Sequence, residues 1–358
     1  MTRPASPSPA EGRAIFGVGS MARGGAAISP AEAERLAHEH WGIGGTAAPI
    51  SAEVDQNFLI DSPSGPHLLK VVPSDEDASL TDLVTAALLH LERRGDVRVQ
   101  RVVPTEAGAP LATFRDADGV ERHARMTTFL AGRTLRSIPM DADLRRRLGA
   151  TLARLARGLR DFEHPGADRD LSWDLRHAGR MRAMLDELGA GEGREALADC
   201  LAAFDARTVP RLVAQPAQIV HNDLSRDNAV LTEGGEIGVI DFGDIVRTQR
   251  VCDLAVAMAD QLEAGPEPFA PALDVAAGYT AVGPLGAEEL ALLYELVRAR
   301  VATRIVGGEW RASRFPENRE YLARNVEPLR EIFALLPESP GDADARRIEE
   351  LGNGSGSR

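Results

Sequence analysis

The sequence is poor in lysine. Of its 358 residues, 41 are Lys or Arg, and Lys70 is the only lysine among them. A strong bias toward arginine can replace most surface lysines, but a lysine whose compact ammonium must fit a narrow pocket as a point charge is hard to replace. Lys70 is therefore a candidate functional residue, although a single lysine can also survive such a bias by chance.

Aromatic residues and net positive charge are also scarce. Phe, Trp and Tyr make up 4% of the chain, and the formal net charge is −13. Nucleic-acid binders usually present aromatic faces for base stacking or basic surface for phosphates. Both deficits argue against a nucleic-acid partner. An acidic cleft would suit a cationic small-molecule acceptor, although acidity can equally serve solubility alone.

Cysteines and long apolar runs are few. Cys200 and Cys252 stand in no CxxC pair and near no histidine cluster, so neither a zinc site nor a disulfide framework is predicted. No stretch approaches the roughly 18 apolar residues that cross a bilayer, and the N-terminal region lacks the apolar core of a signal peptide. These absences predict a cytoplasmic protein with no membrane partner.

The chain divides into four predicted segments. Residues 1–28, rich in Pro, Gly and Ser, predict a disordered lead-in. In 29–126, short β-like runs surround single helices, which indicates a small lobe built on an antiparallel sheet. Helical patterns dominate 127–336, which begins with a hinge, and 337–358 is predicted to be a disordered tail. The expected fold class is α+β, with a larger, mostly helical second lobe.

The strongest signal is the segment IVHNDLSRDNAVLTEGGEIGVIDFGD. Asp223 is followed by Asn228 five residues later, and Asp241-Phe242-Gly243 follows after a short predicted hairpin. This order and spacing match the catalytic-loop pattern of protein kinases. The hairpin would hold both acidic groups at one mouth of a cleft, so the joint pattern is far more specific than an isolated DFG.

The residue types fit phosphoryl transfer, whose catalysis is mostly positioning and electrostatics. Asp223 would accept or orient the proton of an acceptor hydroxyl. Asn228 and Asp241 offer the hard oxygen ligands that Mg²⁺ prefers. Lys70, late in the third predicted strand, would hold the α- and β-phosphates of the donor. His221 is expected to be structural and to bond the loop backbone.

The rest of the nucleotide site is weakly marked. No GxGxxG motif occupies the first predicted hairpin, where Ser51, Gln56 and Asn57 either contact phosphates or form an ordinary polar turn. The linker RMTTFLAGRTL between the lobes would present backbone groups to the nucleobase. The candidate residues in that linker are Thr127, Thr128, Phe129 and Leu130.

The catalytic segment, HNDLSRDN…VIDFGD, resembles the aminoglycoside phosphotransferase superfamily, which also includes choline and homoserine kinases. Longer blocks, among them LLKV, TAALLHL, FEHPGADRDLSWDLRHA and VCDLAVAMA, resemble the hydroxylysine kinase group, which includes kinase halves fused to class III aminotransferases. The likeness spans roughly residues 30–335, and WDLRHA and DFGD are its most specific blocks.

The resemblance implies a two-lobed protein-kinase-like fold, Mg²⁺, and ATP or GTP as phosphoryl donor. The implied acceptor is a hydroxyl of a small amino-bearing molecule, hydroxylysine or a related hydroxy amino acid. An aminotransferase or phospho-lyase acting on the product is also implied, whereas the oligomeric state is not predicted. The family's roles fall on Lys70, Asp223, Asn228 and Asp241.

Two positions depart from the family pattern. The helix after Lys70 ordinarily presents a carboxylate or amide to the lysine, but alignment of TAALLHL places Val84 there. Asn222 stands where the family usually has Gly, and Asn tolerates a positive φ better than most residues. Carboxylates that could replace the missing partner of the lysine are Glu76, Asp77 and Asp82.

Acceptor recognition has two sets of candidates. Asp174 could pair with an acceptor ammonium beside a cation–π face of Trp173, or Asp174 caps the following helix and Trp173 is core. Arg298, Arg300 and Arg304 fall on one late helix, where they either clamp an acceptor carboxylate or form a solvated face.

Two other functions stay open from the sequence. The same chemistry with a different acceptor would make the protein an aminoglycoside or peptide-antibiotic phosphotransferase. A nucleotide-binding pseudokinase that serves as a regulatory module is the alternative of another class. The intact Lys70, Asp223, Asn228 and Asp241 argue against the pseudokinase, whereas Val84 argues mildly for it.

Overall fold

The structure, a computed structural model, describes residues 27–50, 56–72, 78–316 and 319–353. Its strands are β1 (Thr46–Ile50), β2 (Gln56–Ser62), β3 (Gly65–Val71), β4 (Arg98–Val99), β5 (Val102–Val103), β6 (Ala112–Arg115), β7 (Glu121–Thr128), β8 (Arg133–Thr134), β9 (Ala217–Val220), β10 (Ala229–Leu231), β11 (Ile237–Val239) and β12 (Val246–Gln249). Its α-helices are α1 (Pro30–Trp41), α2 (Ala78–Arg94), α3 (Ala142–Gly158), α4 (Met181–Leu188), α5 (Arg194–Ala203), α6 (Val209–Leu212), α7 (Arg250–Ala259), α8 (Ala270–Thr280), α9 (Ala287–Arg314), α10 (Arg319–Ala323), α11 (Val326–Leu335) and α12 (Asp342–Asn353).

The N-terminal region is an antiparallel sheet with the strand order β1-β2-β3-β7-β5, and β6 pairs with β7 farther along that strand. Helix α1 begins as the sequence predicts. Ser29 caps it in a capping box with Glu32, Pro30 follows at the first helical position, and Gly42 ends it in the left-handed conformation. Its apolar stripe packs on one face of the sheet and closes a separate small core.

The two faces of this sheet differ because side chains alternate along a strand. Leu69 and Val71 of β3 are fully buried under α1. Lys70 lies between them and therefore belongs to the opposite face. Asn57 on β2 and Arg125 on β7 are its direct cross-strand partners. This polar face of the sheet is the side on which a phosphate-bearing ligand could be held.

The larger region is mainly helical and encloses the main hydrophobic core. Helix α2 contributes Val84 and Leu88 to this core. Helix α7 packs against both α8 and α9, and most residues of α7 are buried. Two small sheets, β4-β11-β10-β8 and β12-β9, hold the motif segment around residues 221–244. The α+β, two-lobed fold class predicted from the sequence is confirmed.

The predicted boundaries need two corrections at the ends. Part of the tail predicted to be disordered, 337–358, is the helix α12, because Ile348 is buried and Leu351 packs against the main core. The spacing of these two apolar residues is helical, and the polar composition around them hid the pattern. Ile28, placed in the predicted lead-in, is buried and donates its backbone N–H to Gln56. Among the described residues, no helix has both the length and the apolarity to cross a membrane.

Candidate active site

The loop between β9 and β10 carries the catalytic motif. Strand β9 pairs antiparallel with β12, and β10 pairs with β11, so the loop is tied to the sheet elements at both ends. Leu224 is fully buried and pins the middle of the loop to the core. The predicted turn at Gly234-Gly235 is present, since Gly235 has φ 79° between β10 and β11.

Asn222 and Asp253 fix the start of this loop. Asn222 has φ 64°, in the region that favours glycine and that asparagine tolerates, in line with the family's usual Gly at this position. Its backbone N–H donates to Asp253 Oδ1 at 2.7 Å. Burial raises the pKa of Asp253, whereas the hydrogen bond from the Asn222 N–H lowers it. A carboxylate on α7 thus holds the loop through its main chain.

His221 is fully buried and braces the loop on both sides. Its Nε2 lies 3.1 Å from the carbonyl oxygen of Ile240, and its Nδ1 accepts the backbone N–H of Asp223 at 3.3 Å. Its ring also packs edge-on against Phe242 of the DFG motif, with ring centroids 4.8 Å apart. These contacts are those of a structural residue that ties the catalytic loop to the segment before Asp241.

Asp223 and Asn228 contact each other directly. The Asn228 side-chain amide donates to Asp223 Oδ2 at 2.8 Å and to the Asp223 carbonyl at 2.9 Å. Because both bonds use the amide nitrogen, the amide oxygen of Asn228 is turned away from Asp223. That oxygen is in position to serve as a hard ligand.

Asp241 lies next to this pair. The N–H of Ile240 donates to the Asn228 carbonyl at 3.0 Å, which brings the two chain segments together. Asp241 has φ 61° and is exposed, and its Oδ1 accepts the N–H of Gly243. In the described part of the chain, no three His, Cys, Asp or Glu side chains converge into a metal site. The oxygen set of Asp241 and Asn228 fits Mg²⁺, provided that phosphates and water complete the coordination.

Arg300, on α9, pairs with the candidate base. Its Nη2 lies 3.3 Å from Asp223 Oδ1, and its side chain is 7% exposed against 33% for Asp223. Burial raises the pKa of Asp223 well above its usual range, and the nearby charge of Asp244 raises it further, while Arg300 opposes the rise. Burial also lowers the pKa of Arg300, against the charge of Asp223. Arg304 also opposes the rise, so Asp223 lies near two cations, of which Arg300 makes the direct contact.

Asp260 forms a second anchor under the same loop. It follows α7, is buried, and accepts from the backbone N–H of Arg226 at 2.8 Å. The guanidinium groups of Arg136, Arg226 and Arg304 all lie within 3.4 Å of its oxygens. Burial raises the pKa of Asp260, but the charges of Arg304, Arg136 and Arg226 outweigh it and hold that pKa below its ordinary value.

Around Lys70, on the predicted nucleotide side of the site, the structure shows where the chain departs from the family pattern. Val84 is buried in the main core, so it offers no carboxylate to Lys70. Asp82, a predicted substitute, pairs with His164 at 3.1 Å. The buried Oδ1 of Asn57, opposite Lys70, has no hydrogen-bond partner among the described residues. The other predicted positions here, Ser51, Glu76 and Asp77, lie outside the described residues.

The hinge follows β7. Thr127 and Thr128 are the last residues of that strand, and the N–H of Phe129 donates to the Pro66 carbonyl. Among the described residues, no hydrogen bond uses the main-chain N–H or C=O of Leu130. The Leu130 side chain packs so closely on Gly238 of β11 that a Cβ there would overlap it. Leu130 thus combines an unused backbone edge with an apolar surface, which are the two features that a nucleobase needs.

The residues predicted to bind the acceptor lie in different parts of the structure. Asp174 is fully buried and caps the 3₁₀ helix Leu175–Arg180, with Arg176 and Thr248 as partners, so it faces no cleft. Arg298 stacks on Phe333 of α11, with its guanidinium 4.9 Å from the ring centroid. Trp173, in contrast, lies 5.7 Å from the Arg300 guanidinium, which also donates to its carbonyl. Trp173 and Arg300 thus contact each other beside the candidate base, whereas Arg304, one turn farther along α9, pairs with Asp260.

Sequence analysis did not identify Asp253 and Asp260. Both carboxylates lie in the segment VCDLAVAMAD, residues 251–260, whose other residues are apolar and buried. An acid on the buried face of such a helix costs several kcal/mol unless it is hydrogen-bonded, so it is itself a signal of a buried partner. The nature of that partner, a backbone N–H of the catalytic loop, is not visible in the sequence.

Comparison with known proteins places the chain in a family. The model of the phosphotransferase enzyme family (APH) matches residues 46–290. The hydroxylysine kinase of Danio rerio is 26% identical over 289 residues, covering 76% of this chain and 81% of that protein. The homoserine kinase of Methylobacillus flagellatus is 28% identical over 215 residues, covering 59% and 61%.

Solved structures show the same fold at low sequence identity. The amicoumacin kinase hAmiN, solved with AMP-PNP, Ca²⁺ and Ami, superposes with a TM-score of 0.65 at 16% identity and covers 85% of this chain and 91% of that one. A microcompartment-associated aminopropanol kinase gives 0.60 at 19% identity, with coverage of 89% and 97%. With its family model, its relatives and its kinase-like fold, this chain belongs to the phosphotransferase enzyme family (APH) and is a phosphotransferase that acts on a hydroxyl group.

Proposed function

We propose that the protein transfers the γ-phosphoryl group of ATP or GTP to the hydroxyl of a small amino-bearing acceptor, hydroxylysine or a related hydroxy amino acid. The observation that carries the proposal is the arrangement around Asp223. This carboxylate touches Asn228 on one side and Arg300 on the other, so it lies between the candidate metal ligands and the side of Trp173. The similarity to hydroxylysine kinases supports the acceptor class.

The transfer would proceed by in-line displacement. The acceptor oxygen bonds to the γ-phosphorus, the bond from that phosphorus to the β–γ bridging oxygen breaks, and the nucleoside diphosphate leaves. Asp223 takes the proton from the attacking hydroxyl. The raised pKa of Asp223 suits it to this exchange, because a general base works best with a pKa near the operating pH.

The donor would be held by groups from both regions. Lys70 would contact the α- and β-phosphates from the polar face of the sheet, and the unused backbone edge of Leu130 would meet the nucleobase. Asn228 and Asp241 would hold Mg²⁺, which supplies charge neutralisation for the phosphates when bound. Asn57, with its orphaned side-chain oxygen opposite Lys70, is a further candidate for a polar contact.

Phosphorylation of such an acceptor gives its side chain a phosphate leaving group. A lyase that eliminates phosphate, or an aminotransferase acting beside it, is the class of enzyme that could use this product. The protein itself would then act on a small molecule and need neither nucleic acid nor a membrane.

The test is phosphoryl transfer by the purified protein with ATP and GTP separately and with Mg²⁺. The acceptor panel contains 5-hydroxylysine, homoserine, choline, ethanolamine and two aminoglycosides, and the phosphorylated product is identified by mass spectrometry. Asp223→Asn removes the base without changing side-chain size. Asp143→Asn is the matched control, because Asp143 is an exposed residue in the first turn of α3.

Hydroxylysine-dependent turnover that is lost in Asp223→Asn and kept in Asp143→Asn would support the proposal. Turnover with an aminoglycoside alone would replace the acceptor class and keep the mechanism. Nucleotide binding without turnover of any acceptor would overturn the proposal and favour a regulatory role. Nucleotide affinity of Asp223→Asn, measured by calorimetry, separates loss of chemistry from loss of the donor site.

A further inference from the structure

One carboxylate beside the candidate base has no partner among the described residues. Asp244 directly follows the DFG motif, and its charge is one of those that raise the pKa of Asp223. Asp244 is partly buried, and that burial raises its own pKa. In the described part of the chain, no hydrogen bond or ion pair uses its carboxylate oxygens. An acid that gives up water without gaining a partner is unfavourable until a ligand supplies one.

The pairing of β9 with β12 brings Asp244 and Asp223 to the same place. Val220 ends β9, Val246 begins β12, and these two residues form the pair at that end of the ladder. Asp223 comes three residues after β9, and Asp244 comes two residues before β12. Both carboxylates therefore emerge from the same end of the two-stranded sheet. Because neighbouring strands lie about 5 Å apart, a small molecule can contact both side chains.

A tight turn sets the position of Asp244. The N–H of Ile245 donates to the Phe242 carbonyl at 3.2 Å, which closes a turn with Gly243 and Asp244 at its centre. Phe242 and Ile245 are both buried, so the turn is anchored on each side. Arg169 adds a hydrogen bond of 3.0 Å to the Gly243 carbonyl. The backbone that carries Asp244 is thus held by its neighbours, and its carboxylate takes no part in holding it.

The carboxylates around Asp223 differ in their counter-charges. Asp223 has Arg300 at 3.3 Å, and Asp241 is the proposed ligand of Mg²⁺. The charges of Arg169 and Arg300 lower the pKa of Asp244 against the effect of burial, but within the described residues no ion pair joins either of them to it. A cation that enters with the acceptor would supply the missing partner.

An ammonium group suits this position better than a second metal ion. Mg²⁺ requires several oxygens at about 2.1 Å in a near-octahedral arrangement. Among the residues that the structure describes, no three Asp, Glu, His or Cys side chains converge in that way. An ammonium donates hydrogen bonds of about 2.8 Å and can turn its donors toward a single carboxylate. Asp244 alone is therefore enough to bind an ammonium while Asp223 receives the hydroxyl.

We propose that Asp244 binds an ammonium group on the carbon next to the reacting hydroxyl, so that the preferred acceptors are 1,2-amino alcohols. This inference rests on the proposed kinase function and deepens it. The oxygen and nitrogen of a 1,2-amino alcohol are about 3 to 4 Å apart in its staggered rotamers, a separation that two carboxylates on neighbouring chain segments can bracket. In 5-hydroxylysine, this ammonium is the one at the end of the side chain, whereas the α-ammonium lies farther from the hydroxyl.

The test compares acceptors that differ in one ammonium group. 5-Hydroxylysine carries both groups, 6-amino-5-hydroxyhexanoic acid keeps only the ammonium beside the hydroxyl, and 2-amino-5-hydroxyhexanoic acid keeps only the distant one. Wild type should use the first two with similar kcat/KM and the third about 10- to 100-fold less well, the range of one charge-assisted hydrogen bond. 1-Amino-2-propanol and 3-amino-1-propanol repeat the comparison on a smaller molecule.

Asp244→Asn removes the charge and keeps the size of the side chain. Since the carboxylate makes no hydrogen bond among the described residues, the variant is expected to fold normally, which thermal unfolding checks. It should lose about 10- to 100-fold in kcat/KM toward acceptors with the neighbouring ammonium and little toward 2-amino-5-hydroxyhexanoic acid. Any effect on Asp223 is common to all acceptors and cancels in their ratio. Asp199→Asn is the matched control, because Asp199 is an exposed acid on α5.

Two kinetic results would overturn this inference while leaving the kinase function standing. One is an equal loss for every acceptor in Asp244→Asn, which higher Mg²⁺ would restore if Asp244 were a metal ligand. The other is equal use by wild type of the two hydroxyhexanoic acids.

A binding measurement separates the inference from the proposed function. Calorimetry with a non-hydrolysable nucleotide analogue and Mg²⁺ is done with each of the two hydroxyhexanoic acids. Tighter binding of 6-amino-5-hydroxyhexanoic acid, lost in Asp244→Asn, supports the ammonium site even if turnover is absent. Equal binding of the two compounds, or binding of neither, overturns it even if other acceptors are phosphorylated.

Discussion

The two helices under the catalytic loop, α7 and α9, act on it in different ways. Asp253 and Asp260, in and just after α7, accept hydrogen bonds from backbone N–H groups at positions 222 and 226 of the loop. Arg300 and Arg304, on α9, reach carboxylate side chains instead. Backbone N–H groups do not titrate and move only with the chain, so the first helix determines the shape of the loop and the second determines its charge.

This difference separates two kinds of mutational effect. Loss of an acid at α7 should displace the loop and reduce kcat or stability whatever the acceptor. Loss of an arginine on α9 should change the protonation of Asp223 or the affinity for the acceptor and leave the loop in place.

Asp253→Ala should lower kcat by about 100-fold, because a displacement of about 1 Å in a catalytic group can cost that much. Asp253→Asn should recover much of the loss, since an amide oxygen can still accept the N–H of Asn222. Steady-state kinetics and thermal unfolding of both variants check this prediction. Asp186→Ala, an exposed acid on α4, is the control. Wild-type kcat in a folded Asp253→Ala would show that the loop keeps its shape without α7.

Asp260→Asn should lower the free energy of unfolding by about 3 kcal/mol near neutral pH, because it removes the buried carboxylate with which Arg136, Arg226 and Arg304 all pair. The pKa of Asp260 is held below its ordinary value in the folded protein, so its contribution is full above the unfolded-state pKa of about 4. The contribution is lost as the pH falls through the folded pKa. Urea unfolding at several pH values should therefore show a difference in free energy of unfolding between wild type and variant that becomes smaller in acid. A difference independent of pH would contradict this assignment.

Arg300→Gln should shift the acid limb of the kcat/KM profile to higher pH, with a several-fold loss of activity on the acid side. The charge of Arg300 opposes the burial that raises the pKa of Asp223, so its removal lets that pKa rise further. Arg300→Lys keeps the charge and should keep the profile close to that of wild type. A profile unchanged in Arg300→Gln would mean that the pair does not set the protonation of the base.

Asn222→Gly should change stability by less than about 1 kcal/mol and leave kcat nearly unchanged, because Gly adopts the positive φ without strain. Asp253 holds the backbone of residue 222, and the buried side-chain amide of Asn222 has no partner among the described residues. Asn222→Ala should be more destabilising, since a Cβ without a compensating polar contact is strained at this φ. Denaturant unfolding of the two variants measures the difference. A large loss in the glycine variant would give the side chain a role of its own.

Local patterns predicted much of the fold correctly. The capping of α1 by Ser29, the turn at Gly235 and the positive φ of Asn222 follow from properties of single residues and their neighbours. The helix α12 was not predicted because it has few apolar residues. Two of them, Ile348 and Leu351, identify a helix only once the core surface on which they pack is known.

The candidate site was predictable where a motif has fixed spacing and unpredictable where distant segments meet. Asp223, Asn228 and Asp241 lie in one segment, so their proximity is a local property of a loop and a hairpin. Arg300, which contacts Asp223, lies on helix α9, 77 positions farther along the chain. Arg298, two positions earlier, looked equally suitable in the sequence but stacks on Phe333 instead.

The class of chemistry can be read from the amino-acid order alone, because phosphoryl transfer needs a base, hard metal ligands and a lysine in a fixed order that a linear motif can show. Which arginine faces the base, and that Asp174 is a buried helix cap, became visible in the folded chain. The cause is the 3.6-residue period of the helix. Neighbouring arginines on α9 point in different directions, and the packing of α9 against its neighbours determines which of them faces the active site.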